Sequence, residues 1–145
     1  MKTVAEILAS KGGAIYSIAP TAMMYDAIVE MDAKNVGALM VISDGKLVGV
    51  ISERDYLRKV ALHGKTSKTL PVAEIMTRAV VHVKPSCMIT EALGLMTEKR
   101  IRHLPVMDDG RLCGVVSVGD LVKGVIDDQN FTIHKLEYYI TNENG

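Results

Sequence analysis

Hydrophobic positions along this chain switch between a strand-like and a helix-like period, and the switch occurs twice. Ile15-Tyr16-Ser17-Ile18 is a short β-type run that stops at Pro20, whose fixed φ and missing N–H suit a strand exit or helix entry. Met24, Ala27, Ile28 and Met31 then fall at i, i+3, i+4 and i+7, which predicts a helix with one apolar face. Two unbroken apolar runs follow, Ala38 to Ile42 and Leu47 to Ile51, joined by Ser43-Asp44-Gly45-Lys46. Asp-Gly between such runs predicts a tight hairpin, because the favoured two-residue turn needs positive φ at both central residues. Continuous rather than alternating apolar character predicts strands covered on both faces by helices. A further helix from Glu53 to Leu62 closes a β-α-β-β-α unit.

The unit then returns at a constant offset of 65 residues, so that 14–60 lies over 79–125 without a gap. Pro20 recurs as Pro85, Ala27 as Ala92, Met31 as Met96, Leu39 as Leu104, and Asp44-Gly45 as Asp109-Gly110. The openings also agree, Val4-Ala5-Glu6-Ile7-Leu8 being answered by Val72-Ala73-Glu74-Ile75-Met76. The second helix stripe is Ile89, Ala92, Leu93 and Met96, and the second closing helix runs from Val118 to Ile126. A chain of 145 residues suits one compact domain and is short for two independent ones, so the repeats read as halves that share a core. The expected fold class is α/β (α+β), two repeats with pseudo-twofold symmetry plus a C-terminal helix. The expected limits are 4–62 and 72–127 for the repeats and 63–71 for a polar linker. After Gln129, Ile133, Leu136, Tyr139 and Ile140 keep helical spacing behind Thr132 as a plausible N-cap, predicting a last helix over 130–142. Its stripe could cover the core edge or dock on a second subunit.

Composition narrows the function classes. Lys plus Arg equals Asp plus Glu at 17 each, so the chain carries no overall positive field for a nucleic-acid backbone or an anionic membrane. Phe131 is the only phenylalanine and tryptophan is absent, which removes the aromatic platform of a single-strand binder. No apolar stretch reaches the ~18 residues of a spanning helix, and the first residues lack the layout of a secretory signal, so a cytoplasmic protein is expected. Cys87 and Cys113 form no C-x-x-C, and buried reduced thiols are expected. His63, His82, His103 and His134 show no ligand spacing, so no metal is assigned. The nine methionines read mostly as core packing.

The chemistry concentrates in one string that closes both hairpins, Gly49-Val50-Ile51-Ser52-Glu53-Arg54-Asp55 and Gly114-Val115-Val116-Ser117-Val118-Gly119-Asp120. Ser-x-x-Asp at a strand-to-helix junction matches a capping box. It also suits a nucleotide: the helix N-terminus and serine hydroxyl favour phosphate, and a carboxylate can accept from the two hydroxyls of a ribose. Glycine ahead of it leaves room for a flat ring to approach the backbone. The two roles are compatible.

These residues resemble the paired CBS domains, named for cystathionine β-synthase, whose repeats end in G-h-h-[S/T]-x-x-D. The likeness includes Ala73 to Thr77, the Arg102-His103-Leu104-Pro105-Val106 strand and the Asp-Gly hairpins, and it covers nearly the whole chain. It implies a Bateman module that binds adenine nucleotides and signals occupancy to a partner, with no catalytic cofactor. AMP is the first expectation, with ADP, ATP, NAD or S-adenosyl methionine as alternatives. One site would take Ser117 and Asp120 with Val115, Ile15, Tyr16, Val36 and Ala38. The other would take Ser52 and Asp55 with Val50, Val80, Val81 and Ile101. Arg102 and His103 sit where relatives place basic groups on the phosphate; their counterparts Gly37 and Ala38 offer no such donor, so the two sites should differ in phosphate chemistry. The resemblance further implies a homodimer and an unknown regulated protein. Two other functions stay open: an adaptor that binds no ligand, and a nucleotide hydrolase using Asp55 or Asp120 as base.

Overall fold

The computed structural model describes residues 2–144. Its elements run α1 (Val4–Lys11), β1 (Ser17–Ile18), α2 (Met24–Lys34), β2 (Ala38–Ser43), β3 (Lys46–Ser52), α3 (Glu53–Lys59), a 3₁₀ turn (Ala61–His63), α4 (Val72–Ile75), α5 (Ile89–Lys99), β4 (His103–Asp108), β5 (Arg111–Ser117) and α6 (Val118–Asn144). Both small sheets follow the expected α+β plan. β1 pairs in parallel with β2, and β2 with β3 antiparallel. β4 pairs antiparallel with β5.

The turns that set the hairpin registers are the expected ones. Asp44 and Gly45 take φ of 51° and 76°, and Asp109 and Gly110 take 49° and 77°, the all-positive pair that matches strand twist. Each ladder shifts register at the equivalent place, between Val41 and Ile42 and between Val106 and Met107. The first strand is shorter than expected. Only Ser17 and Ile18 join β2, and in the second repeat the corresponding segment contributes a single parallel bridge, Val83 to Val106.

The chain divides into two units, one holding Ala14–Val81 and the other the residues up to Gly13 together with those from His82 onward. In the first of these, Met24, Ala27 and Met31 of α2 pack with Leu39, Val41, Ile51, Val60, Val72, Ile75 and Met76. In the other, α6 packs on α5, α1 and β5, with Val4, Ile7, Ile89, Ala92, Met96, Leu104, Val106, Val116 and Leu121 buried. Each opening helix therefore belongs to the unit built on the other repeat. The reason lies in its free N–H groups, which need acceptors. Val72 and Ala73 donate to the carbonyls of Ala22 and Pro20, while Val4 and Ala5 donate to those of Cys87 and Pro85, the equivalent positions one repeat later.

Two expectations change here. The closing helix of the second repeat does not stop at Ile126: α6 is one helix of 27 residues, and Thr132 lies inside it, donating its hydroxyl to the Asp128 carbonyl at 3.0 Å instead of capping. No glycine or proline falls between Ile126 and Asn144 to end it, and an i−4 hydroxyl bond is compatible with a helix interior. Ile133, Leu136 and Ile140 are exposed on it, and Tyr139 lies outside the described side chains. The two thiols are free, but neither is buried, Cys87 being half-buried and Cys113 exposed. Cys113 falls on an outward position of a strand whose alternate residues, Gly114 and Val116, face the core.

Candidate functional site

The site is built where a hairpin strand runs into a helix. In the Ala14–Val81 unit, Ser52 is the N-cap of α3: its Oγ accepts from the Asp55 N–H at 3.2 Å, and Asp55 Oδ2 accepts from the Ser52 N–H at 2.9 Å and from the Ser52 hydroxyl at 3.0 Å. Asp55 Oδ1 takes Lys59 Nζ at 3.1 Å and the Thr77 hydroxyl at 3.4 Å. Both oxygens of this carboxylate are thus engaged, and the residue is only 9% exposed.

The second repeat builds the same cap with a different counter-charge. Ser117 Oγ accepts from the Asp120 N–H at 3.1 Å, and Asp120 Oδ2 accepts from the Ser117 N–H at 2.8 Å. Lys11, at the end of α1, donates to that same Oδ2 at 2.6 Å and to the Val115 carbonyl at 2.9 Å. Among the described residues, Oδ1 of Asp120 receives no donor, so this carboxylate keeps an acceptor that Asp55 does not. Partial burial pushes the Asp120 carboxyl up, but hydrogen bonds from Lys11 and Ser117 and the Lys11 charge outweigh it and hold the pKa below its ordinary value.

Strand register brings further expected residues beside these caps. His103 pairs with Ser117, and the Arg102 carbonyl accepts from the Val118 N–H at 3.0 Å, so the backbone of both basic residues runs beside the Asp120 cap. In the first repeat Ala38 pairs with Ser52 and the Gly37 carbonyl accepts from the Glu53 N–H at 3.0 Å. Val50 and Thr77 exchange backbone hydrogen bonds at 2.9 and 3.0 Å. Val80 and Val81 are half-buried in that unit; so are Ile15 and Val36, while Tyr16 is exposed with Lys34 over its ring at 5.6 Å. Ile101 is half-buried in the other unit, together with Val115.

The glycines ahead of the caps serve a different purpose from the one expected. A Cβ on Gly49 would meet Met76 Sδ at 2.7 Å and the Thr77 carbonyl oxygen at 3.0 Å, and one on Gly114 would meet Leu8 Cδ2 at 2.8 Å. Met76 and Leu8 are equivalent residues of the two opening helices, so the space at each glycine is filled by the chain's own opening segment rather than left for a flat ring. Lys59, Thr77 and Lys11 were not read as site residues from the sequence. Lys59 stands four residues after Asp55, a local spacing that signals a pair. Thr77 and Lys11 lie 22 and 109 residues from their carboxylates and carry no local signal.

The model of the CBS domain matches residues 4–62 and 72–127. The chain belongs to the CBS-domain family. A CBS domain-containing protein of Arabidopsis thaliana, CBSX3, described as mitochondrial, is 38% identical over 95% of this chain and 71% of its own length. The solved structure of a protein with CBS domains from Burkholderia ambifaria MC40-6 is 48% identical, with a TM-score of 0.84 over 88% of this chain and 96% of that one. The CBS domain pair of MJ0100, solved in complex with 5′-methylthioadenosine and S-adenosyl-L-methionine, shares the fold at 24% identity and a TM-score of 0.76 over 88% of this chain and 98% of that one. Paired CBS domains of this kind are regulatory modules. Among the described residues no helix of this CBS pair is long and apolar enough to cross a membrane, and no cluster of His, Cys, Asp and Glu could hold a metal ion.

Proposed function

We propose that this CBS pair is a regulatory sensor of adenine nucleotides that reports occupancy to another protein, with AMP as the first candidate ligand and ADP, ATP or NAD as the others. The observation that carries the reading is Asp120: an ionised carboxylate at a helix N-terminus, with one oxygen held by Lys11 and Ser117 and the other, among the described residues, without a donor. A ribose hydroxyl can complete that oxygen, while the Ser117 hydroxyl, Arg102 and His103 supply phosphate donors. Ser52 and Asp55 form the second candidate site, a weaker one, because a diol there must displace Lys59 or Thr77 from Asp55. Ile15, Tyr16, Val36, Gly37, Ala38, Val50, Val80, Val81, Ile101 and Val115 are the candidate adenine-contacting positions. The reading includes a homodimer, a cytoplasmic setting and a regulatory rather than catalytic role.

Thermal-shift and calorimetric titration with AMP, ADP, ATP, NAD and S-adenosyl methionine test it. A ligand at a hundred times its dissociation constant adds about 2.7 kcal/mol of stability. The expected result is a rise in melting temperature with at least one adenine compound and its loss in Asp120→Asn, with a smaller effect in Asp55→Asn. An unmoved melting temperature across the whole panel would overturn the reading in favour of an adaptor. Turnover of ATP or NAD by the wild type that disappears in Asp120→Ala would overturn it in favour of a hydrolase.

A further inference from the structure

Beyond the core that it helps to close, α6 carries a second apolar face. Leu121 and Gly124 are buried against the unit, with Val125 and Asp128 half-buried beside them. On another side of the helix, Val122, Ile126, Gln129, Ile133, Leu136 and Ile140 follow one another at steps of 4, 3, 4, 3 and 4 residues. That is the alternation of the a and d positions of a coiled coil, which keeps a narrow stripe facing a partner helix. The five apolar members are 41–57% exposed, and the stripe is about 27 Å long at the usual helical rise.

We propose that this stripe is the seam of an antiparallel pairing between α6 and the same helix of a second copy of the chain. The inference rests on the homodimer included above and names its surface. The flanking charges choose both occupant and direction. Antiparallel, Val122 meets the partner's Ile140, Ile126 meets the partner's Leu136 and Gln129 meets the partner's Ile133, each layer occurring twice. The same register sets Lys123 beside the partner's Glu137, again twice. Among the described residues Lys123 forms no ion pair within its own chain, and the Glu137 carboxylate lies 3.6 Å from His134 Nδ1. A parallel pairing would instead set Lys123 beside the partner's Val118 and Glu137 beside the partner's Thr132, with no charge satisfied. The charges are therefore satisfied when the stripe meets itself reversed, an arrangement generated by a two-fold axis perpendicular to the helices.

Sedimentation of the whole chain over a range of concentrations tests the proposal. The wild type is expected to dimerise, and Ile133→Asp/Leu136→Asp, altering two exposed side chains, is expected to weaken association about 100-fold. Lys123→Glu should weaken it several-fold and Lys123→Glu/Glu137→Lys should restore it, a rescue that damage to the fold would not give. In a Cys87→Ser/Cys113→Ser background, Lys123→Cys mixed with Glu137→Cys should form a disulfide-linked dimer, while neither does so alone. A wild type that stays monomeric overturns the homodimer and the seam together. A dimer unaffected by Ile133→Asp/Leu136→Asp leaves the homodimer standing and overturns the seam, and self-linking of Lys123→Cys overturns the antiparallel register.

Discussion

Lys11 Nζ lies 2.6 Å from Asp120 Oδ2 and 2.9 Å from the Val115 carbonyl oxygen, so one ammonium ties the end of α1 to the closing string of the second repeat. The first repeat answers the same need from within α3, where Lys59 reaches Asp55 at 3.1 Å across one helical turn. The lysine position is not shared. The residue equivalent to Lys59 is Gly124, where a Cβ would lie 2.5 Å from Ile7 Cδ1, because α1 packs there. A duplicated sequence thus conserves the carboxylate in both halves while drawing its counter-charge from different places.

Acid should reveal the Asp120 arrangement. Its carboxyl sits below the ordinary 3.8 despite partial burial, because Lys11 and Ser117 favour the charged form. A folded-state pKa lowered in this way contributes stability that is complete above the unfolded value and is lost as pH falls through the folded one. The urea midpoint of the wild type is therefore expected to exceed that of Asp120→Asn at neutral pH, with the gap closing below about pH 4. Since Lys11 and Asp120 are partly exposed, the gap attributable to the pair should be about 1 kcal/mol or less.

Ser52→Ala removes an N-cap and should cost about 1 kcal/mol. Asp55→Ala should cost more, about 2 kcal/mol, because it leaves the Ser52 N–H without its acceptor at a nearly buried position and also removes the carboxylate to which Lys59 and Thr77 donate. Denaturant melts of the two variants measure the difference. Equal losses would mean that Lys59 and Thr77 contribute nothing to the cap.

Three glycines should answer differently to a single methyl. Gly49→Ala drives a Cβ to within 3.0 Å of the Thr77 carbonyl and should destabilise by about 1–3 kcal/mol. Gly94→Ala, inside α5 with nothing within 4 Å, should stabilise by about 0.5–1 kcal/mol through helix propensity. Gly114→Ala should cost less than Gly49→Ala, since its neighbour is the flexible end of Leu8 rather than backbone. Unfolding midpoints of the three variants order these effects.

The thiols should label in sequence. Burial, with the Glu91 charge adding to it, pushes the Cys87 thiol above its ordinary 9.0, whereas Cys113 is exposed. The thiolate is the reactive form, so iodoacetamide near pH 8 should modify Cys113 first and Cys87 slowly. Mass spectrometry of a time course, with Cys113→Ser as control, reads the order directly.

Much of the fold was legible because its signals are local. The period of Met24, Ala27, Ile28 and Met31 needs only four neighbours on one helix face, and Asp44-Gly45 needs only its own φ preferences. The Ser-x-x-Asp cap was equally readable, since its partners stand three residues apart. Thr132 misled for the same reason: a residue type that caps helices can also sit within one, and local chemistry does not separate the two. The strand expected over Ile15-Tyr16-Ser17-Ile18 shrank because its length depends on how far β2 accompanies it.

By itself, then, the sequence determined the duplicated β-α-β-β-α plan, the hairpin registers and the paired Ser-Asp caps, all of them properties of segments short enough to be written in neighbouring residues. Only the tertiary structure decided that each opening helix joins the unit of the other repeat, that Gly49 and Gly114 make room for Met76 and Leu8, and that Lys11 rather than a neighbour holds Asp120. Those choices depend on which distant acceptor a free N–H or an ammonium meets after the chain has closed, and no spacing along the chain encodes that meeting.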